Sequence, residues 1–100
     1  MTYENKINKL VKEELTAMCI KHKQEKFNSP HEAWAVTLEE VEEAESDMAQ
    51  VRIFIDEVKF ITFHDSDYRN ERFKLVRKYA LHAIQELIQV CACCDKAVRE

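Results

Sequence analysis

The chain has 100 residues, contains no glycine and one proline, and carries a formal net charge of -4. This length provides one domain over residues 1–100 with a single core. The shortage of glycine and proline excludes most of the tight turns that β-hairpins need. The acidic balance argues against a nucleic-acid polymer as partner, because such binding usually requires a basic surface. Long helices joined by short polar connections are therefore the predicted architecture.

The compartment is predicted from the start of the chain and from its apolar runs. No apolar run approaches the roughly 20 residues that span a bilayer, and the polar start Met1–Lys6 differs from a secretory signal. We therefore expect a cytoplasmic protein without a membrane partner. In that reducing compartment Cys19, Cys91, Cys93 and Cys94 are expected to be thiols packed as small apolar residues. A metal or redox role for the CxxC spacing of Cys91 and Cys94 is the alternative.

The first helix is predicted from about Tyr3 to Lys26. Its apolar residues recur at helical spacing between Ile7 and Cys19. Basic residues gather near its end, where they complement the negative end of the helix dipole.

The second helix is predicted to begin with a capping box. Ser29 has the character of an N-cap, Pro30 suits the first helical position, and Glu32 stands three residues after the cap. Apolar residues at steps of three and four then form one seam: Trp34, Leu38, Val41, Ala44, Met48, Val51, Ile55 and Val58. The helix includes a β-branched stretch, with a kink or restart expected between Met48 and Arg52.

The third helix is predicted to follow a cap at Ser66 or Asp67 and to continue almost to the end. Its seam has coiled-coil-like regularity: Phe73, Val76, Ala80, Ala83, Leu87, Val90, Cys94 and Ala97. The expected fold is an all-α bundle of three long helices, or four if the second is interrupted. Further apolar residues fall off the seams: Phe54, Phe60, Ile61, Phe63, Leu75, Ile84 and Ile88. Exposed patches of this kind usually mark an interface, so we expect a homodimer or homotetramer.

An acidic run on the second helix is the first candidate site. Five of the seven residues from Glu39 to Glu45 are glutamates. Like charges three and four residues apart on a helix repel, so the run is either a solvated surface or a cation site. Carboxylates at i and i+3 can face one cation, and Mg²⁺ prefers oxygen ligands. On the third helix Glu86 shares its flank with His82 and Gln89, which are either hydrogen-bonded interface groups or the remainder of a metal cage.

Two blocks of the chain resemble a known family. Residues 29–36, S-P-H-E-A-W-A-V, followed by L-E-E-V-E-E at 38–43, are similar to the opening of MazG-like proteins, including forms common in phages and prophages. This superfamily comprises all-α nucleoside triphosphate pyrophosphohydrolases with an EExxE motif on one helix and ExxD on a later one. EExxE falls on Glu39, Glu40 and Glu43, and A-I-Q-E-L-I-Q-V at 83–90 resembles the second motif region.

The resemblance implies a hydrolase that cleaves a nucleoside triphosphate to the monophosphate and pyrophosphate, with Mg²⁺ or Mn²⁺ as cofactor. Its metal ligands would be Glu40, Glu43, Glu86 and Gln89. Glu39 or Asp47 would serve as the base or as an outer partner of the metal site.

Candidate substrate contacts follow from the same resemblance. They are His82, Trp34, Lys26 and Arg77. Trp34 would stack on the base, although a tryptophan at a seam position is more often core. Basic residues that the triphosphate needs are available at Lys21, Lys23, Lys26, Arg72, Arg77 and Lys78.

The chain departs from the family pattern at two points. Gln89 stands where the second motif has an aspartate, which removes one anionic ligand, and the stretch between Glu43 and Glu86 is longer than usual. The alternative to an active enzyme is thus a catalytically silent relative that binds nucleotides, regulates or oligomerises. An unrelated helical interaction protein, with the glutamates as solvated surface, is the third hypothesis.

Overall fold

A computed structural model describes residues 2–64 and 69–99. This part of the chain contains three helices and no strand: α1 (Tyr3–His22), α2 (Pro30–Phe63) and α3 (Arg69–Ala97). The predicted all-α bundle of three helices is confirmed. None of these helices has a stretch long and apolar enough to cross a membrane.

The end of α1 differs from the prediction. The helix stops at His22 rather than Lys26, because Lys23 turns into the left-handed region at φ 52° and donates its N–H to the carbonyls of Cys19 and Ile20. Such a turn is a common way to satisfy the last carbonyls of a helix, but glycine usually marks it. The residue in this turn is a lysine rather than a glycine, so the sequence contains no signal that the helix ends here.

The start of α2 follows the prediction with one change. The Ser29 hydroxyl accepts a hydrogen bond from the Glu32 N–H at 3.1 Å, which confirms Ser29 as the N-cap. The Glu32 carboxylate accepts the N–H of Asn28 at 3.0 Å, so the box closes one residue before the cap. The helix continues unbroken from Pro30 to Phe63, and the predicted restart near Met48 is wrong. The predicted caps of α3 lie outside the described residues.

The third helix holds the bundle together, because it packs against both α1 and α2. Three buried residues of α1 meet Ala92 near the end of α3 in the main core: Val11, Leu15 and Cys19. Towards the other end, Phe54 of α2 stacks on Tyr79 of α3 at 5.6 Å between ring centroids. An ion pair of 2.6 Å between Glu57 and Arg72 joins the same two helices.

The predicted seams are largely on the surface. Trp34 is 67% exposed, Met48 50% and Leu87 49%, and the buried seam residues are Ala44, Val58 and Ala83. The interpretation of Trp34 as a core residue is therefore wrong. Periodicity identifies an apolar side of a helix, but it does not say whether another helix of the same chain covers that side.

The four cysteines are free thiols that differ in their exposure to water. Cys19 and Cys93 are buried, as predicted for structural thiols, whereas Cys91 and Cys94 are exposed. Burial raises the pKa of the Cys93 thiol to about 11, so this thiol stays protonated and unreactive at neutral pH.

Candidate metal centre

Three carboxylates converge where α2 crosses α3. Glu40 and Glu43 lie one helical turn apart on α2, and Glu86 of α3 faces them. One carboxylate oxygen from each lies within 4.8 Å of the others. Within residues 2–64 and 69–99, no other group of three His, Cys, Asp or Glu side chains approaches in this way. The structure thus brings together the three predicted carboxylate ligands, and Gln89, the fourth predicted ligand, lies beside them.

The three carboxylates lie close enough to repel one another when they are ionised. The pKa of Glu40 and that of Glu86 are raised mainly because burial between the helices removes water from the carboxylates. The pKa of Glu43 is raised chiefly by its hydrogen-bonded approach to Glu86. In the described part of the chain, none of the three forms an ion pair with a lysine or arginine. A bound cation would relieve this repulsion.

Gln89 is the fourth member of the cluster. With its amide nitrogen turned inward, Gln89 donates to Glu86 Oε2 at 3.0 Å and to Glu40 Oε2 at 2.5 Å. In the opposite orientation the amide oxygen faces the same carboxylates. The first orientation stabilises the carboxylates by hydrogen bonds when no cation is bound. The second orientation offers a cation a neutral oxygen ligand. An all-oxygen donor set is the kind that Mg²⁺ and Mn²⁺ prefer, so the residues fit such an ion.

An open trough of about 420 Å³ lies on one side of the cluster. It is lined by Glu43, Ser46, Asp47, His82, Gln85 and Glu86. Nδ1 of His82 lies 3.9 Å from Oδ1 of Asp47, and the imidazole meets the Tyr79 ring edge-on at 5.8 Å. Asp47 and His82 therefore lie beside the carboxylates as predicted, whereas Glu39 is exposed and does not line the trough.

Basic residues lie on the other side of the cluster, towards α1. A groove of about 160 Å³ places Lys21 and His22 beside Glu40 and Gln89. Next to it, a pocket of about 290 Å³ is lined by His22, Phe27, Glu40 and Lys96 among others. Glu40 lines both depressions, which also include Glu14 and Glu32, so the acidic cluster separates the trough from a surface that carries both basic and acidic groups.

Three of the predicted substrate contacts lie elsewhere. Trp34 lines an apolar groove between α2 and the end of α3. Lys26 lines a separate depression with Ser29 and Arg99. Arg77 is exposed, five residues before His82 on the part of α3 that leads away from the cluster. Lys21 is therefore the predicted basic residue that the structure brings to the cluster.

Lys96 is a site residue that the sequence did not predict. It is 1% exposed, its ammonium donates to Gln24 Oε1 at 2.7 Å, and it lies 4.6 Å from the centroid of the Phe27 ring. A buried lysine with neutral partners is uncommon. Lys96 follows Gln89 by seven residues, which places both on the same side of α3, and this spacing could have identified Lys96 as a site residue.

No family model, no curated protein and no solved structure matches this chain. The MazG-like assignment therefore stays a prediction based on the two sequence blocks.

Proposed function

We propose that this chain is a divalent-cation-dependent nucleoside triphosphate pyrophosphohydrolase of the MazG-like type. The observation that carries the proposal is the convergence of Glu40, Glu43 and Glu86, none of which forms an ion pair with a lysine or arginine of residues 2–64 and 69–99. Partly buried like charges destabilise a folded chain unless something compensates them. Side chains that break the rules of stability in this way are expected at functional sites.

The cluster has the composition of a magnesium or manganese site. Glu40, Glu43 and Glu86 would hold the ion, with the Gln89 amide oxygen as an additional donor. When bound, such an ion supplies positive charge that neutralises the phosphates and the charge developing in the transition state.

The reaction is hydrolysis at the α-phosphorus. The oxygen of water forms a bond to phosphorus, the bond to the oxygen bridging the α- and β-phosphates breaks, and pyrophosphate leaves with the electron pair. Asp47 is the candidate base that takes the proton from water, because it lines the trough beside Glu43 and Glu86. His82 lies beside this carboxylate, with Nδ1 3.9 Å from Oδ1 of Asp47, and would orient it towards the water. Glu39 is exposed and does not line the trough, so we assign it no role other than a negative charge outside the site.

The phosphates would lie on the side of the cluster that faces α1. Lys21 and His22 of α1 border Glu40 there, and Lys96 lines the adjoining pocket. The Phe27 ring and Met18 provide apolar surface in that pocket for a nucleobase. These residues replace Lys26, Arg77 and Trp34 as the proposed substrate contacts.

The test is pyrophosphate release from a panel of ribo- and deoxyribonucleoside triphosphates with Mg²⁺ or Mn²⁺. The Glu40→Gln/Glu43→Gln variant keeps the shape of the cluster and removes two of its charges. The matched control, Glu4→Gln/Glu13→Gln, makes the same change at exposed positions of α1. We expect turnover by the wild type and the control and none by the cluster variant. Equal turnover by the cluster variant would place the chemistry elsewhere.

Gln89 favours a second candidate function, the binding of a nucleotide without turnover. A neutral amide in place of an aspartate leaves the site with one negative charge fewer, and ligand charge is a main determinant of cation affinity. Under this hypothesis a nucleotide with Mg²⁺ raises the melting temperature of the wild type without release of pyrophosphate. Turnover by the wild type would exclude it.

A further inference from the structure

The carboxamide of Gln24 bridges a buried lysine and a carboxylate. Gln24 lies in the link between α1 and α2. Its Oε1 accepts a hydrogen bond from the Lys96 ammonium at 2.7 Å, and its Nε2 donates to Oε1 of Glu32 at 3.2 Å. One carbonyl and one N–H group therefore span the gap between the end of α3 and the first turn of α2.

The two groups that Gln24 bridges are also held by other residues. Asn28 donates its backbone N–H and its Nδ2 to the Glu32 carboxylate, and the backbone hydrogen bond lowers the pKa of Glu32, so this group stays an ionised acceptor at neutral pH. The Lys96 ammonium lies 4.6 Å from the centroid of the Phe27 ring. Within residues 2–64 and 69–99, Gln24 Oε1 is its one hydrogen-bond acceptor, although an ammonium has three N–H donors. A group that replaces the carboxamide would meet the same donor and the same acceptor.

The cavity beside this pair has the size of one ring system. Its volume is about 290 Å³, below the range of about 300 to 1,000 Å³ for pockets that take a whole drug-sized ligand. Met18 and Val36 give it apolar walls, whereas Glu32 and Glu40 also line it and disfavour an anion. The cavity shares Met18, His22 and Glu40 with the groove beside the acidic cluster. A neutral ring can therefore lie in the cavity while the rest of the ligand extends towards the cluster.

We infer that the Gln24 carboxamide occupies the place of a nucleobase with a lactam edge, which is a ring carbonyl next to a ring N–H. The base displaces the carboxamide and presents the same two groups. Its oxo oxygen accepts from Lys96, and its ring N–H donates to Glu32. This inference rests on the proposed function for the nucleotide as ligand, and it assigns Lys96 and Glu32 as the residues that determine base specificity.

The lactam edge divides the common bases into two classes. Guanine, hypoxanthine and uracil have it, whereas adenine and cytosine carry an amino group in place of the oxo group. With adenine or cytosine, the amino group would face the ammonium and a ring nitrogen lone pair would face the Glu32 carboxylate. Both charged groups would then lose their hydrogen bonds, which is the main way in which a site rejects a ligand of similar shape.

The first test is isothermal titration with nucleoside monophosphates in Mg²⁺, because the proposed reaction releases monophosphates and does not cleave them. Inosine and adenosine monophosphate differ at this edge alone, and uridine and cytidine monophosphate form the matching pyrimidine pair. We expect the oxo member to bind about tenfold more tightly in at least one pair, and that pair identifies the ring as purine or pyrimidine. Equal affinities within both pairs, or no binding of any of the four, overturns the inference.

The second test uses variants of the two bridged groups. Lys96→Met removes the donor to the oxo oxygen and should reduce the preference to about twofold or less. The control Lys74→Met makes the same change at an exposed position of α3 and should keep the preference. Gln24→Ala removes the group that the base displaces, so the oxo members should bind about threefold more tightly. Gln24 is half-buried, so this variant provides the test if Lys96→Met does not fold. An unchanged preference in folded Lys96→Met, or weaker binding of the oxo members to Gln24→Ala, contradicts the inference.

Pyrophosphate release separates this inference from the proposed function. Turnover of triphosphates, with no difference within either pair of bases, overturns the lactam contact and leaves the proposed enzyme intact. A preference among the monophosphates without turnover of any triphosphate has the opposite meaning. It supports the lactam contact and favours the binding of a nucleotide without hydrolysis.

Discussion

The two sides of the α2–α3 hairpin differ in which groups they leave without a partner. Towards α1, carboxylates are drawn together and partly removed from water, with no lysine or arginine paired to them among the described residues. On the other side, large apolar residues such as Trp34 and Met48 remain in contact with water. A single small domain gains nothing from either arrangement. The comparison thus sets a proposed cation site on one side of the hairpin against an apolar surface on the other.

The largest effect is expected from Glu86→Gln, which tests the acidic side alone. The change keeps the size of the side chain and removes one of the three charges that converge there. We expect Mn²⁺ affinity to fall about 100-fold or more, because even outer partners of metal ligands contribute about 10- to 100-fold. Isothermal titration with Mn²⁺ measures this directly. The same affinity in Glu86→Gln and wild type would show that the cluster is only surface.

Gln89→Asp adds a negative charge to the acidic cluster, whereas Glu86→Gln removes one. It supplies the anionic oxygen that the second motif of MazG-like proteins has, so divalent affinity should rise about tenfold, or about 1.4 kcal/mol. Without a cation the variant should melt below the wild type, since a fourth carboxylate adds repulsion beside Glu40 and Glu86. Titration with Mn²⁺ and melting in chelator test the two statements. If neither the Mn²⁺ affinity nor the melting temperature in chelator changes, Gln89 is not part of the site.

Some features of the fold and of the candidate site were predictable from the sequence. Helix type and the Ser29 cap were predictable, because local spacing and side-chain chemistry determine them. The approach of Glu40 and Glu43 was also predictable, since residues three apart share a helix face. The approach of Glu86 was predicted as one of two alternatives, from its place beside the seam of the third helix, and the family resemblance favoured it.

Other features depend on packing between helices, which local patterns do not encode. Trp34 sits at a regular seam position, yet no other part of the described chain covers it. Lys96 is charged and near the end of α3, but the link from His22 to Pro30 folds over it and buries it with Phe27. Neither burial state can be derived from periodicity, because it depends on which neighbouring segment lies above the residue.

Lys96→Met separates the role of this buried lysine in binding from its role in stability. Methionine keeps an apolar stem of similar length and removes the ammonium that Gln24 and Phe27 hold. We expect the Michaelis constant for the nucleotide to rise about fivefold, which is about 1 kcal/mol, with a smaller change in the free energy of unfolding. Steady-state kinetics and urea denaturation give the two values. A large loss of stability with an unchanged Michaelis constant would make Lys96 a structural residue.

The smallest effect is a pH dependence of stability that a cation should abolish. The pKa values of Glu40, Glu43 and Glu86 lie above their ordinary value of 4.5 in the folded chain. The folded state therefore binds more protons than the unfolded state just above pH 4.5, and its stability declines as pH rises through that window. Above the window the carboxylates are charged and the repulsion persists. Mg²⁺ binds the deprotonated form, so its benefit should be absent at pH 4.5 and complete at neutral pH.

Melting temperatures between pH 4.5 and 8, measured in chelator and in saturating Mg²⁺, test this coupling. We expect Mg²⁺ to raise the melting temperature by about 4 °C at neutral pH and to have no effect at the acid end. Glu40→Gln/Glu43→Gln should lose both the Mg²⁺ effect and the cluster's share of the pH dependence, because only one carboxylate remains. Met48→Glu/Leu87→Glu adds charges to the other side of the hairpin and should keep the Mg²⁺ effect. Loss of the Mg²⁺ effect in that variant would mean that the cation site depends on the apolar side of the hairpin.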